Sequence, residues 1–346
     1  MIGRPLGGAA VPFKGFSKYR VIDFSKLLPG PYATQMLADM GCKVTRVELP
    51  YFADLSRKIP PLIDGVGSLY WMVNQGKREL SFDFRKPAGL KRLQNLLKKA
   101  DVLVEGFRPG LMERIGLGYK EVRKLNRRLV YCSISGYDPK GPLGRAAGHD
   151  INFQAMSGAG VCSAQVADLA GSMAAVTGIL AALLEGKGRH IQVSITDALH
   201  SWQAIPLGHL AATGEDPGLK SQWWTGAHPF YRLYDTQDGG KLAVGAMEKG
   251  FSLSLLELLG LSALKGLADD ALKNEDVLSK ALAEAFRSAP LSEWERRLEG
   301  KDVCVTPVRT LSQSAAARLV LTAGSRRSKA GTPPASTRTR GRPTVR

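Results

Sequence analysis

Over the first half of the chain, short apolar runs alternate with stretches of helical spacing. Tyr19-Arg-Val-Ile-Asp-Phe24 reads as a strand, and Pro31 to Met40 as a helix closed by Gly41, a residue suited to the left-handed position after a helix. Lys43-Val-Thr-Arg-Val-Glu48 follows as a second strand. Two strands joined by a helix form a βαβ unit, which requires a parallel sheet and a right-handed crossover. The alternation recurs with Glu79 to Phe84 as strand, Ala88 to Lys99 as amphipathic helix, and Asp101 to Glu105 and Arg128 to Ser133 as strands. The pattern predicts an open α/β sheet, whose ligands sit beyond the carboxyl ends of the strands.

From Asp168 the residues turn small and apolar through Leu184, a length that favours a buried helix, with Asp168 placed where an N-cap belongs. Ile191 to Ile195 reads as a strand, followed by a helix through Trp202 and a loop from Gly214 to Gly226. The texture changes near His228. Phe230 to Tyr234, then Asp238-Gly-Gly240, then Lys241 to Gly245 is a hairpin signature, and helical segments run from Phe251 to about Glu299. The expected organisation is a large α/β domain over residues 1–212, a smaller α+β domain over 213–312, and a basic low-complexity tail over 313–346. No internal repeat is visible.

Composition changes this picture little. The chain has 346 residues, 44% of them hydrophobic and 23% charged, the mix of a globular protein. No run of about 18 apolar residues suggests a membrane span. Met1 to Ile22 carries four basic residues and no acid before Asp23, which reads as a lead into the first strand rather than a transit peptide. Cys42, Cys132, Cys162 and Cys304 form no C-x-x-C pair, so neither a metal cluster nor a disulfide framework is expected, and a reducing, cytoplasmic setting fits. The net charge of +17 invites a nucleic-acid reading, but nine Lys or Arg and no acid follow Asp302. Without those nine the remainder holds 39 basic against 31 acidic residues, a net +8. A tail of that composition cannot bury a core, and it has no aromatic platform, so nucleic acid is not an expected partner.

Specific motifs then narrow the reading. Asp23-Phe-Ser-Lys-Leu-Leu-Pro-Gly-Pro-Tyr-Ala-Thr34 resembles the opening strand–turn–helix of the family III CoA-transferases and racemases, the CaiB/BaiF type. Asn74-Gln-Gly-Lys-Arg78, Phe82-Asp-Phe84, Glu105-Gly-Phe-Arg-Pro-Gly110 and Ile115-Gly-Leu-Gly-Tyr119 follow in that family's order. The resemblance runs from about Val21 to about Thr310. It implies a Rossmann-like large domain, a small domain, an interlocked homodimer, an acyl-CoA thioester as substrate and no cofactor beyond the CoA that the substrate carries. Within the family, Val166-Ala-Asp-Leu-Ala-Gly171 makes Asp168 the catalytic carboxylate of either chemistry, CoA transfer through an aspartyl anhydride or racemisation at the α-carbon. Gly148-His-Asp-Ile-Asn152 and Ala243-Val-Gly-Ala-Met-Glu248 resemble the racemase branch, which favours α-proton exchange on 2-methylacyl-CoA thioesters.

The resemblance assigns His149 and Asp168 as bases on opposite faces of the α-carbon, with Glu248 orienting the imidazole from the other subunit. It also implies CoA contacts from Arg46, Arg108, Lys77 and Arg78. The helix after Asp168 is expected to offer backbone N–H groups to an enolate oxygen. Without the family, His149 reads as a turn cap, Asp168 as an N-cap, and the arginines as surface charges. His190, His200, His209 and His228 read as structural, and Trp223-Trp224 as a packed pair. The stretch Ser157 to Gln165 is shorter than in relatives, and Gly171-Ser-Met173 stands where racemases carry a glycine run.

Overall fold

The computed structural model describes residues 14–218 and 221–316. Most of the expected tail therefore lies outside the described residues, as does the start of the expected lead; residues 313–316 are helical. The chain divides into two compact units, one ending at Glu215 and the other beginning at Asp216.

The first unit is built on a six-stranded sheet in the order β5-β2-β1-β6-β7-β8. Its strands are β1 (Arg20–Asp23), β2 (Lys43–Glu48), β5 (Arg78–Ser81), β6 (Val102–Glu105), β7 (Val130–Ser135) and β8 (His190–Ser194), all paired in parallel. A short hairpin, β3 (Leu62–Ile63) with β4 (Val66–Gly67), stands outside this sheet. A central parallel strand is covered on both faces and so reads as an unbroken apolar run. Val102, Leu103 and Val104 accordingly have no exposed surface. The helix Pro29–Asp39 starts with proline in its first turn and is followed by Gly41 at φ +106°. It buries Ala33, Met36 and Leu37 and packs against the long helix Val166–Glu185.

That long helix has the length and composition of a membrane span, although its uncharged run, Leu169 to Leu184, is shorter than 18 residues. Here Ala167, Ala170, Ala175, Val176, Ile179 and Ala182 bury a face of it in the core that includes β1, β6 and β7. It begins before Asp168, not at it: Gln165 is the N-cap and Asp168 lies in the first turn, because burial of Ala167 draws the preceding residues into the helix.

The chain winds from β1 outward through β2 to β5, then returns beside β1 and winds the other way through β6, β7 and β8. The strand order thus reverses between β1 and β6, and the loops leaving those strands diverge to open a crevice.

In the second unit, β9 (Tyr231–Asp235) and β10 (Lys241–Gly245) form the expected antiparallel hairpin. Asp238 Oδ1 accepts from Thr236 Oγ1 at 2.5 Å and from Leu291 N at 3.1 Å, which fixes the turn. A third strand, β11 (Val305–Pro307), pairs with β10 and went unforeseen, since three residues are too few to show a period. Helices Lys249–Leu258, Glu275–Phe286 and Leu291–Leu298 contribute Leu255, Leu282 and Trp294 to a core with Phe230 and Leu242.

Candidate active site

A cavity of about 380 Å³ opens at the carboxyl ends of the strands, at the reversal between β1 and β6. Ser25 to Leu27 line it from the turn after β1, Gly106 to Pro109 from the turn after β6, and Ser135 and Gly136 from the end of β7. The turn after β1 is constrained. Leu27 adopts φ +63°, unusual for a branched residue, and its N–H donates to Asp54 Oδ2 at 2.9 Å.

His149 and Asp168 both border this cavity. His149 is exposed and occupies the N-cap position of the helix Asp150–Ser157, with its backbone N–H donated to Asn152 Oδ1 at 3.0 Å. The cap reading and the site reading therefore coexist, because capping uses the backbone of His149. Asp168 is partly buried, and its carboxyl is pushed up to about 7, first by burial and then by the nearby charge of Asp150.

Asp150 was not anticipated. It is the first residue of its helix, where the helix dipole favours an acid. Its Oδ1 accepts the Asp168 N–H at 2.9 Å, and Gln154 Nε2 donates to its Oδ2. The backbone N–H of Asp168 is thereby occupied, so the expected enolate donor is not that group. The signal in the sequence was adjacency to His149, which pattern reasoning assigned to the histidine alone. Gln154 also donates to Ala164 O at 2.9 Å and accepts from Cys162 N at 2.8 Å, pinning the short 158–165 stretch.

Ser172 has a place here. Its Oγ lies 2.7 Å from Pro29 O and 2.8 Å from Asp168 O, tying the turn that carries Asp168 to the first helix. Phe153 forms one wall and fills space that two glycines leave open. A Cβ on Gly136 would come within 2.3 Å of its ring, and one on Gly148 within 2.6 Å. Gly136→Ala is accordingly expected to cost about 1–3 kcal/mol, measured by chemical denaturation.

The expected CoA contacts separate. Arg108 is exposed on the cavity wall. Arg46 is not available to a ligand: it is 1% exposed, donating to Glu48 Oε1 at 2.9 Å and Asp54 Oδ2 at 2.6 Å, with Asp23 Oδ2 at 3.4 Å. Lys77 is likewise interior, its Nζ held by Asp23 Oδ2 at 3.1 Å, Thr34 Oγ1 at 2.8 Å, Asn74 Oδ1 at 2.9 Å and Pro31 O at 2.9 Å. These two cations neutralise the carboxylates that burial under the loop after β2 would otherwise leave unpaired. Arg78 is exposed at the start of β5, and the opening that it lines is at the amino ends of the strands. Glu248 belongs to the second unit, exposed at the residue before the helix Lys249–Leu258.

Lys26 also lines the cavity, with its Nζ donating to Phe52 O at 2.6 Å, whereas Glu105 lines a separate, smaller pocket with Ser133 and His190. Glu105, which opens the Glu-Gly-Phe-Arg-Pro-Gly motif, is pushed up to about 7 by burial, against hydrogen bonds from Ser133 and the Phe107 N–H. Ser133 Oγ lies 3.0 Å from His190 Nε2, and His190 stacks on Tyr119 with centroids 4.7 Å apart. Trp223 and Trp224 in the second unit form a packed edge-on pair, as expected.

The model of CoA-transferase family III matches residues 16–341. The chain belongs to that family. The match extends past Thr310, where the recognisable motifs ended. The family III chain is 34% identical over 317 residues to human alpha-methylacyl-CoA racemase, covering 85% of this chain and 77% of the relative. It is 30% identical over 331 residues to acetyl-CoA:oxalate CoA-transferase of Acetobacter aceti, covering 88% and 84%. A CAIB/BAIF family protein from Brucella suis superposes with a TM-score of 0.74 at 26% identity, over 90% of this chain and 86% of that one. Family III thus holds relatives of both chemistries, and the chain is an enzyme of this transferase and racemase superfamily.

Proposed function

We propose that this family III enzyme racemises the α-carbon of a 2-methylacyl-CoA thioester. The observation that carries the reading is an exposed imidazole, His149, sharing one cavity with a carboxyl poised near pH 7, Asp168. Racemisation removes the α-proton from one face, leaves the electron pair on the thioester oxygen as an enolate, and returns a proton to the other face. Each base must alternate between acid and base forms, which is efficient when its pKa lies near the working pH. Asp168 as carboxylate accepts the proton in one direction while the imidazolium of His149 delivers one; in the other direction the roles exchange. Arg108 suits a CoA phosphate through its planar fork. In a homodimer, Glu248 of the second subunit would fix the tautomer of His149.

The test is incubation of a single-enantiomer 2-methylacyl-CoA in D₂O, with and without a free carboxylate as CoA acceptor. Deuterium at the α-carbon with loss of optical purity is the expected result. CoA transfer to the acceptor without exchange sinks the proposal. It would establish instead a transferase in which Asp168 forms an acyl anhydride and His149 is dispensable, in line with the similarity to the Acetobacter aceti CoA-transferase.

Asp150→Asn supplies a finer check. Removing the charge beside Asp168 favours its ionised form, while the larger effect of burial remains. The acidic limb of the exchange rate is expected to move down by roughly one pH unit, read from a pH–rate profile.

A further inference from the structure

A second opening lies at the other end of the sheet. It has a volume of about 610 Å³ and is lined by Arg20, Lys43, Arg78 and Lys99, with Ile22 and Leu96 among its apolar residues. The first three are the opening residues of β1, β2 and β5, and Lys99 precedes β6, so the cations converge from neighbouring strands at their amino ends. All four are exposed, and no carboxylate lines the opening. Among the described residues none of the four has an ion-pair partner. Asp101, next to the lining residue Ala100, has its Oδ2 engaged by the Arg20 N–H at 2.8 Å, and it lines a different opening with Lys18, Arg128 and Lys187.

Arg20 and Lys43 are direct rung partners on parallel strands. Like charges placed so are mutually unfavourable, and an anion between them reverses that sign. Arg78 is held on the next strand, opposite Thr45. The span from β1 to β5 is about 10 Å at the usual strand spacing, more than one phosphate can bridge.

We propose that this opening is a binding site for a small organic anion carrying two or more phosphoryl groups, separate from the cavity that holds His149 and Asp168. The guanidinium groups of Arg20 and Arg78 grip phosphoryl oxygens in pairs, the ammonium groups of Lys43 and Lys99 close the charge, and Ile22 and Leu96 receive the organic part.

The experiment is calorimetric titration of the full chain at low salt with inorganic pyrophosphate and with ADP. The proteins compared are wild type, Arg20→Gln/Lys43→Gln and Arg108→Gln. The double variant is expected to bind both probes at least tenfold more weakly, with α-proton exchange unchanged and melting temperature equal or higher, since a like-charge rung has been removed. Tighter binding of ADP than of pyrophosphate places the organic part on the apolar floor; equal binding restricts recognition to the phosphoryl groups, and both support an anion site. Lys99→Gln provides an independent weakening should the double variant fold poorly. Binding that survives all these changes and is lost only in Arg108→Gln overturns the proposal. So does a preference for single-stranded RNA over ADP, which would reassign the surface to nucleic acid.

Discussion

Asp168→Asn is expected to lose α-proton exchange by about 10²- to 10⁴-fold, the usual worth of a positioned general base, while gaining stability above neutral pH. The amide keeps the shape of the carboxyl and leaves the backbone N–H of residue 168 on Asp150, but it cannot take a proton. The stability effect follows from linkage. The carboxyl is raised from 3.8 to about 7, by burial first and by Asp150 second, so the folded chain holds that proton more tightly than the unfolded chain does. The contribution of Asp168 is therefore most favourable below pH 3.8 and is lost progressively as pH rises through 7. Asparagine has no such penalty. At pH 8 the variant should exceed the wild type by roughly 1–3 kcal/mol, the full conversion of about 1.4 kcal/mol per pKa unit being reduced by water at the open cavity. Urea denaturation at pH 5 and pH 8, run beside the exchange assay, separates the outcomes. An active variant removes Asp168 from the chemistry, and one that is inactive and less stable at pH 8 makes it a structural residue.

Arg46→Met is the second large effect, an expected loss of about 3–5 kcal/mol in folding stability. The guanidinium stands among Asp23, Glu48 and Asp54, all buried, and Asp54 in turn holds the Ser56 and Leu27 N–H groups. Burial alone would raise Asp23, yet Lys77 and Arg46, with the hydroxyls of Ser25 and Thr34, bring it down to about 2. A carboxyl depressed in this way stabilises the fold above its unfolded pKa near 4 and ceases to do so as pH falls toward 2. In the variant the remaining carboxylates repel, so the loss is greatest at neutral pH and shrinks on acidification. Urea midpoints at pH 7 and pH 4 test this. A variant within 1 kcal/mol of wild type at pH 7 that binds CoA weakly would return Arg46 to the ligand.

The sheet was legible because strand and helix signals alternate along the chain and a central parallel strand such as β6 is an apolar run; β2 was placed at its observed residues although only Val44 and Val47 in it are apolar. The hairpin of the second unit was equally plain, since Asp238-Gly-Gly240 supplies the turn chemistry. That His149 and Asp168 share one cavity was legible only through motif order. What escaped was everything decided by burial. Arg46 and Lys77 carry the same formal charge as Arg108, and only the fold, which brings Asp54 to Arg46 and Asp23 and Asn74 to Lys77, reveals that two are spoken for and one is exposed. Asp150 escaped because its effect on Asp168 spans 18 residues of sequence. The beginning of the long helix was misplaced because an acid before an apolar run looks the same at the N-cap and one turn in.

Phe153 has a consequence for how this enzyme can be reshaped. Because the ring already fills the room left by the missing side chains of Gly136 and Gly148, it has nowhere to retreat when a bulky ligand fills the cavity. Shortening the ring itself, as in Phe153→Leu, widens the bore at a single position. Adding even one carbon to either glycine drives the ring inward and narrows it. The cavity can therefore widen through one codon, whereas a change at either glycine behind the ring narrows it at a cost in stability.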